Sequence, residues 1–463
     1  MSALYDLSAQ ELSQAYRSAS LSPVEVTQAV LDHIGAWEPR LCATYALDPQ
    51  GALEAARLSE RRWRQGSPCS ALDGVPVTIK ENTATRGVPV PAGTAATELI
   101  PAFEDAPPSA RLREAGCVIL GKTTMPDYGM LTSGLSSFHP LSRNPWNLEH
   151  NPGGSSAGAA AAAAAGYGPL HLGTDIGGSI RLPAGLCGVF GLKPSLGRIP
   201  IKPPYAGRVA GPMTRTVTDA AMMMSVLTQP DWRDTTSLPW QPIDWTDLRC
   251  EVRGLRLGLQ TEPGWGLTPD AQTVAAVEAA ARAFEAAGAI VEPLAPFTTR
   301  EMIDGLDRFW RMRSYLDMGA LPPSRQAKVL PYIRQWVATA ADLTAAQVFH
   351  GYSQMAAIRE ATVGATQRFD FVLSPVNPVA HYPAQWASPI NDPQRPFEHI
   401  PFTLPFNMSE QPAASINCGY TSNGSPIGLQ IAGRRHDDLG VLRLARAFEL
   451  MRSPSRPWPT PSA

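Results

Sequence analysis

The sequence predicts an α/β fold, in which helices cover both faces of a β-sheet. Stretches with helical spacing of apolar residues alternate along the chain with short apolar runs rich in β-branched residues. The chain has 463 residues, of which 44% are hydrophobic, so it can bury one large core or roughly two or three smaller ones. No unit repeats along the chain, which excludes a solenoid.

The first third of the chain combines predicted helices with two buried strands. Residues 8–38 predict two helices, and the second begins at Ser22-Pro23, where a capping serine precedes a proline suited to the first turn. The apolar runs at 74–82 and 117–124 end in polar residues and predict strands. Two further helices are predicted at 53–65 and at 107–116, the latter ended by Gly116.

The second half of the chain continues this alternation. An amphipathic helix at 269–288 precedes a strand at 289–294, and residues 369–378 predict another buried strand. Residues 228–247 are rich in Pro, Trp and Asp and show no periodicity. This segment is either a linker between domains or a surface excursion within one domain.

Composition argues against several functional classes. The net charge is −2 with a pI near 6.5, so we expect no binding of nucleic acid or anionic membranes. The chain start lacks a signal-peptide pattern and no apolar run is long enough to span a membrane, so the cytoplasm is the predicted compartment. The six cysteines and eight histidines are scattered, so neither a metal site nor a cofactor is expected. The alanine run at 159–165 predicts a close-packed helix.

Two similar glycine-serine stretches carry the candidate chemistry. Ser155 follows a glycine pair in "NPGGSSAG" (151–158), and Ser179 follows another in "GTDIGGSIRLP" (173–183). Small residues before Ser179 leave backbone N–H groups open to a ligand, and a helix is predicted to begin at 181–183. Several amides aimed at one point form an oxyanion hole, so Ser179 is the candidate nucleophile. The alternative is a tight turn with a capping serine.

A nucleophilic serine requires a base, and Lys80 is the candidate. It ends the apolar run "GVPVTIK", where burial would lower its pKa from about 10.4 and favour the neutral amine. Ser155 could then pass a proton between Lys80 and Ser179. The histidines near the two serines carry no motif that assigns them this role. "GSSAG" matches the G-x-S-x-G nucleophile elbow with Ser156 as nucleophile, but no strand precedes it, so we reject the elbow.

These motifs resemble the signature of the amidase signature family of serine hydrolases. The signature-like stretch is "GGSSAG…GTDIGGSIRLP", and the lysine segment is "LDGVPVTIKENTATRGVPVPAGT". Similar segments follow in order along most of the chain, with weaker likeness at about 228–370: "GKTTMPDYGM", "SRNPWN", "GVFGLKPSLGRIP", "GPMTRTVTDAAMMM", "LSPVNP", "FTLPFNMSEQPAASINCG" and "PIGLQIAGRRHDD". Two departures from the common pattern, Glu81 after the lysine and Ala157 after the serine pair, remove no catalytic group.

The resemblance implies a set of catalytic residues. The family's triad of nucleophilic serine, bridging serine and lysine falls on Ser179, Ser155 and Lys80, with a cis peptide bond between Gly154 and Ser155. The oxyanion hole is expected to consist of four backbone amides, those of Ile176, Gly177, Gly178 and Ser179. Structural support is expected from Gly154, Ser156, Asp175 and Arg181.

The resemblance also implies an architecture. We expect the amidase signature fold, a single large α/β domain (1–463) with a mixed central β-sheet flanked on both sides by α-helices. Within it, residues 1–65 would form an outer helical layer and 66–227 the catalytic core. Residues 228–370 would form a variable substrate-side segment, and 371–463 would complete the core.

The implied activity is hydrolysis of the C–N bond of a small carboxamide by water, through a seryl acyl-enzyme and without a cofactor. A neutral or aromatic substrate is expected because the predicted pocket residues are largely apolar: Met125, Met130, Trp310 and Met408. One alternative is the A subunit of the glutamyl-tRNA amidotransferase, a glutaminase that passes on ammonia; Arg359 lies in the general region where such a substrate would need a charged group. Another is a noncatalytic binding or scaffolding protein. We expect no nucleic-acid or membrane partner, and a homodimer is a possible assembly.

Overall fold

The strands of the protein form one mixed β-sheet. The structure is a computed structural model, which describes residues 3–453 and 456–461. Within this part, the strand order is β1-β3-β2-β4-β6-β5-β10-β11-β9-β7-β8. The strands are β1 Thr44–Tyr45, β2 Pro76–Lys80, β3 Val118–Thr123, β4 Leu170–Asp175, β5 Phe190–Lys193, β6 Val209–Thr214, β7 Arg256–Leu259, β8 Ile290–Pro293, β9 Phe371–Pro375, β10 Ala413–Tyr420 and β11 Pro426–Gly433.

Helices surround this sheet and alternate with its strands along the chain. This architecture confirms the predicted fold class, including the mixed sheet. The described helices are α1 Ala9–Arg17, α2 Pro23–Leu41, α3 Pro49–Arg64, α4 Pro107–Glu114, α5 Ala157–Ala165, α6 Arg181–Cys187, α7 Val217–Leu227, α8 Ala271–Ala286, α9 Arg300–Gly319, α10 Pro323–Gln326, α11 Pro331–Ala338, α12 Ala345–Thr366, α13 Leu404–Met408 and α14 Asp438–Met451.

Two parallel central strands bring the predicted lysine segment to the signature. β2 pairs in parallel with β4, with Thr78 opposite His171. Carboxyl ends of neighbouring parallel strands lie at the same sheet edge, so Lys80 and Asp175, the last residues of these strands, emerge side by side. β6 runs antiparallel to β4 and places Val209 opposite Asp175. The sheet edge at these three strands is where the site forms.

Helix α5 consists of small residues because it lies deep inside the protein. All nine of its residues are buried. A β-carbon added at Gly158 would collide with the carbonyl oxygen of Ala43 and the amide nitrogen of Thr124. Alanine and glycine therefore allow the helix to approach neighbouring backbone more closely than larger side chains would. This packing fixes the loop that precedes α5, which carries Ser155.

The irregular segment at 228–247 lies on the surface of the sheet domain. Its Trp232 is 89% exposed, whereas Trp245 is buried against the main core. The strands that follow it, β7 and β8, join the same sheet through pairing of β7 with β9. Because strands from both sides of the segment share one sheet, the structure favours a surface excursion over a linker.

Candidate active site

The candidate base, Lys80, is completely buried at the end of β2. Its Nζ donates hydrogen bonds to Ser155 Oγ at 2.8 Å and to Ser156 Oγ at 3.0 Å. The pKa of Lys80 lies well below its usual value, chiefly because burial disfavours the charged amine and secondly because Arg208 is positively charged. The carboxylates of Asp175 and Glu81 oppose this shift. A lysine in these surroundings favours the neutral amine, which can accept a proton.

The two serines of the first glycine-serine stretch have different partners. The peptide bond between Gly154 and Ser155 is cis, and the Ser155 side chain is buried against Lys80. The Ser156 hydroxyl donates to the Thr174 carbonyl at 3.1 Å and accepts from the Thr174 amide at 3.2 Å. Ser156 thus ties the start of α5 to β4, and its supporting role stays a prediction.

Ser179 lies in the loop between β4 and α6, next to the first serine loop. Its carbonyl oxygen accepts a hydrogen bond from the Ser156 amide at 3.1 Å. The Ser179 side chain is half-buried and lines two adjoining cavities, one of which is also lined by Ser155. Between residues 3 and 453, no hydrogen bond engages its hydroxyl. The structure therefore brings Lys80, Ser155 and Ser179 together, with Ser179 open to a substrate.

The amides predicted to bind an oxyanion divide into two groups. The Gly178 N–H donates to Asp175 Oδ1 at 2.8 Å, so this amide is not free, and its inclusion in the oxyanion hole is wrong. The correction follows from the Asp175 carboxylate, which accepts from the N–H groups of both Gly178 and Ile180 and so occupies the Gly178 donor. The amides of Ile176, Gly177 and Ser179 have no partner in the described part of the chain and remain available.

Asp175 and Arg181 form the buried support of this loop. Both oxygens of Asp175 pair with the Arg181 guanidinium at 3.0 Å, and they also accept from the amides of Gly178 and Ile180. Burial alone would raise the pKa of Asp175, but the charge and hydrogen bonds of Arg181 outweigh burial and hold that pKa well below its usual value. Arg181 lines neither cavity, whereas Asp175 contributes to the lining of the cavity that Ser155 and Ser179 share.

An apolar cavity extends from Ser179 to one side. It encloses about 470 Å³, including its open mouth. Of the four residues predicted to line the pocket, Met130 and Trp310 line this cavity, whereas Met125 lines the adjoining one. Met408 lines neither cavity, because it is buried in α13. The remaining apolar lining was not predicted from the sequence: Leu131, Leu182, Phe397 and Ile400.

The histidines near the serines are poorly suited to act as the base. His171 is buried, its Nδ1 lies 2.7 Å from Thr78 Oγ1, and burial lowers its pKa to about 3. His150 stacks against His381 and lines neither cavity. His399, which sequence reasoning missed, lines the apolar cavity but hydrogen-bonds Thr132. Lys80 remains the group best placed to activate Ser179 through Ser155.

Sequence reasoning also missed the charged part of the site. The adjoining cavity is lined by Tyr205, Arg208 and Arg313, together with Ser155 and Ser179. No motif marks these three residues, because they lie in a proline-rich loop and in the variable helix α9. Arg359, considered above for charge recognition, instead pairs with Glu410 and donates to the Met408 carbonyl, and it lines neither cavity.

The fold of this protein is that of a family of hydrolases that act on C–N bonds. Residues 25–442 match the sequence model of the family described as Amidase, and the chain therefore belongs to the amidase signature family. A bacterial aryl acylamidase belonging to the amidase signature family has a similar structure, with 31% identity and a TM-score of 0.88 over 96% of both chains.

Curated relatives of this chain carry a different name. The A subunit of glutamyl-tRNA(Gln) amidotransferase from Myxococcus xanthus (strain DK1622) is 36% identical, over 96% of this chain and 97% of its own length. The protein of the same name from Chloroflexus aggregans (strain MD-66 / DSM 9485) is 33% identical over 97% of both. These relatives are named for an amidotransferase of glutamyl-tRNA(Gln), so the expectation that nucleic acid plays no part is wrong. Net charge alone could not support it, since one chain of a complex can serve a tRNA-dependent reaction without a basic surface of its own.

Two further properties bear on what the protein can bind. No helix in residues 3–453 and 456–461 combines the length and apolar character needed to cross a membrane. In the same residues, no group of three or more His, Cys, Asp or Glu side chains is arranged to hold a metal ion.

Proposed function

We propose that this protein hydrolyses the C–N bond of a carboxamide through an acyl-enzyme on Ser179. The observation that carries the proposal is the position of Lys80, which is buried with its Nζ 2.8 Å from Ser155 Oγ. Beside this pair, the Ser179 side chain lines both cavities, and its hydroxyl has no hydrogen-bond partner among the described residues. A serine hydroxyl is a weak nucleophile until a base removes its proton. A neutral lysine acting through a second serine supplies that base.

The proposed reaction has two stages. Lys80, through Ser155, takes the Ser179 proton as Ser179 Oγ attacks the amide carbonyl, and the negative oxygen is held by the free amides of Ile176, Gly177 and Ser179. The C–N bond then breaks and the proton returns through Ser155 to the leaving nitrogen, releasing ammonia or an amine. Water repeats the sequence on the acyl-enzyme: its oxygen enters the carboxylic acid product and a proton restores the Ser179 hydroxyl.

The apolar cavity supports an apolar or aromatic group on the substrate. Its wall includes the rings of Trp310 and Phe397, which meet edge to face at a centroid distance of 5.3 Å, and the thioether of Met130. Burying an aromatic group against such a wall is favourable, since aromatic contacts add to the hydrophobic gain. The similarity to an aryl acylamidase is consistent with this assignment.

A second candidate function is that of a glutaminase chain which supplies ammonia to a tRNA-dependent amidotransferase. The observation that favours it is the identity of 36% and 33% to proteins named as the A subunit of glutamyl-tRNA(Gln) amidotransferase, over nearly the whole chain. The same acyl-enzyme chemistry would serve, with free glutamine as the amide. Partner subunits would then be required for the transfer step.

The two candidates separate in one assay. The purified chain is tested alone for ammonia or amine release from aryl amides, simple primary amides and L-glutamine, and is labelled with a fluorophosphonate probe. Efficient hydrolysis of aryl or simple amides by the chain alone supports the independent amidase. Activity confined to glutamine and enhanced by the partner subunits, ATP and glutamyl-tRNA supports the amidotransferase role. Failure of Ser179 to label would support the noncatalytic alternative and refute both enzymes.

A further inference from the structure

Two arginines lie beside Ser179 in the second cavity. Arg208 immediately precedes β6, and because the next residue, Val209, is opposite Asp175, Arg208 lies next to the loop that begins at Ile176. Arg313 comes from α9, and its Cζ lies 4.8 Å from the centroid of the Tyr205 ring. Both arginines line the same cavity as the two serines. Two positive charges therefore face the position of the scissile bond.

Neither guanidinium has a carboxylate partner in the described residues. The Arg208 side chain makes no hydrogen bond or ion pair there. The Arg313 Nε is buried without a partner, and its Nη2 contacts only the sulfur of Met130, at 4.0 Å. Two carboxylates line the cavity. Asp175 is paired with Arg181, and the exposed Asp317 forms no ion pair with Arg208 or Arg313 in the described residues.

A comparison within the same protein shows how unusual these arginines are. The buried Arg181 makes five hydrogen bonds to protein acceptors, including both oxygens of Asp175. Buried charged groups are normally paired in this way, because an unpaired one loses its hydration without compensation. Within the described ranges, the Tyr205 hydroxyl, next to Arg313, is also buried without a partner. The cavity thus offers several unused hydrogen-bond donors at one place.

We propose that Arg208 and Arg313 bind a carboxylate of the substrate, so that the amide attacked by Ser179 belongs to an anionic molecule. The inference rests on the proposed amide hydrolysis and specifies its substrate class. Guanidinium groups recognise carboxylates through paired, charge-assisted hydrogen bonds. The two cavities meet at Ser179; Arg313 lies where they adjoin and lines both, and Arg208 lines only the second. The substrate therefore carries an apolar part that fills the first cavity and a carboxylate that reaches the arginines of the second. An apolar acid joined in amide linkage to an amino acid has this form.

This inference changes the substrate expected from the sequence. The neutral substrate was expected from three methionines and a tryptophan. Of these, only Met130 and Trp310 line the apolar cavity, and none of the four signals the arginines beside Ser179. The carboxylate could also belong to the acyl part, as in the monoamide of a dicarboxylic acid, a class that includes glutamine. In both cases a carboxylate would bind the two arginines, and the probes chosen below distinguish a carboxylate on the amine side of the amide from one on the acyl side.

The test measures binding to an inert variant, so that it does not depend on turnover. Ser179→Ala is titrated by calorimetry with two matched pairs: N-phenylacetylglycine against N-phenylacetylglycinamide, and 4-carbamoylbutanoate against pentanediamide. We expect the carboxylate of at least one pair to bind about tenfold or more tightly than its neutral partner. The first pair places the carboxylate on the amine side of the amide, and the second places it on the acyl side.

Variants assign this preference to the arginines. In the Ser179→Ala background, Arg208→Gln and Arg313→Gln should each reduce the carboxylate preference by about tenfold. The matched control is Arg282→Gln on α8, an arginine that is 63% exposed, because it should leave the preference unchanged. The inference is overturned if the two members of each pair bind equally well, or if neither carboxylate binds. It is also overturned if the preference for the carboxylate persists in both glutamine variants.

Measurements on the wild-type protein distinguish failure of the carboxylate site from failure of the proposed amide hydrolysis. If Ser179 labels with fluorophosphonate and neutral amides are hydrolysed as well as their carboxylate counterparts, amide hydrolysis stands and the carboxylate site is refuted. If Ser179 does not label but the inert variant prefers carboxylates in an Arg208-dependent manner, the binding site stands and the proposed hydrolysis is refuted.

Discussion

Replacing Arg181 by methionine should destabilise the protein by leaving a buried carboxylate unpaired beside the loop between β4 and α6. The substitution preserves much of the side-chain volume but removes the guanidinium that neutralises Asp175. All five of its hydrogen bonds would be lost: two to Asp175, and one each to the Thr403 carbonyl, Gln430 Oε1 and Asn407 Oδ1. The Asp175 carboxylate would remain, fully buried and without a counter-ion.

The expected cost is about 3–5 kcal/mol in the free energy of unfolding, the range for breaking a buried ion pair by removing one partner. The amides of Gly178 and Ile180 still donate to Asp175 in the variant, and they keep the cost from rising further. An exposed pair is worth only about 0–1 kcal/mol, so Arg282→Met, which breaks the surface contact with Glu278 at 3.8 Å, is the matched control.

The loss should depend on pH in a defined direction. With Arg181 present, the folded-state pKa of Asp175 lies below the unfolded value of 3.8, so this carboxylate stabilises the protein above that value. Without Arg181, burial raises the folded-state pKa above the unfolded one, and ionised Asp175 becomes destabilising. The deficit of the variant should therefore be larger at pH 8 than at pH 5, because protonation at lower pH removes the unpaired charge.

The assay is urea unfolding of both variants and the wild type, followed by tryptophan fluorescence at the two pH values. Asp175→Asn is added to Arg181→Met as a second step, and it should recover part of the lost stability because the buried charge is gone. The reasoning would be refuted if Arg181→Met cost less than about 1 kcal/mol in the free energy of unfolding. It would also be refuted if the costs of Arg181→Met and Asp175→Asn simply added in the double variant, since Asp175 would then not be an isolated buried charge.

Four further predictions concern the candidate catalytic residues and the fold. Ser179→Ala should lower turnover by several orders of magnitude and abolish fluorophosphonate labelling, and an adduct mapped by mass spectrometry to Ser156 would contradict the assignment. The kcat/KM of the wild type should rise with pH and level off above the lowered pKa of Lys80, since the neutral amine is the active form. Lys80→Arg should be nearly as inactive as Lys80→Met, because arginine is not deprotonated in proteins; an active arginine variant with an unchanged pH profile would exclude the base role. Limited proteolysis at 228–247, where Trp232 is exposed, should give two fragments that co-elute in gel filtration, and separate folded fragments would show that this segment is a linker.

Local sequence was sufficient to predict several of the elements and to single out three candidate catalytic residues. The start of α2 at Pro23 follows from a capping serine before a proline, and the predicted strand at 74–82 contains the observed β2. Lys80, Ser155 and Ser179 each lie in a short motif whose residue types have a direct chemical reason. Such features could be read from the sequence because the signals lie within a few residues of the group they describe.

The tertiary structure decided which backbone and side-chain groups face the substrate. The amide of Gly178 turns toward Asp175, and Met408 packs in α13, outside the lining of both cavities; neither orientation is encoded in a motif. Arg208 and Arg313 are distant in the sequence and meet only because β6 pairs with β4 while α9 lies across the same cavity. The sequence by itself determined the chemistry available to this protein, since that depends on residue type and local spacing. The structure determined the charge of the pocket, because it depends on which distant side chains the packing leaves without a partner.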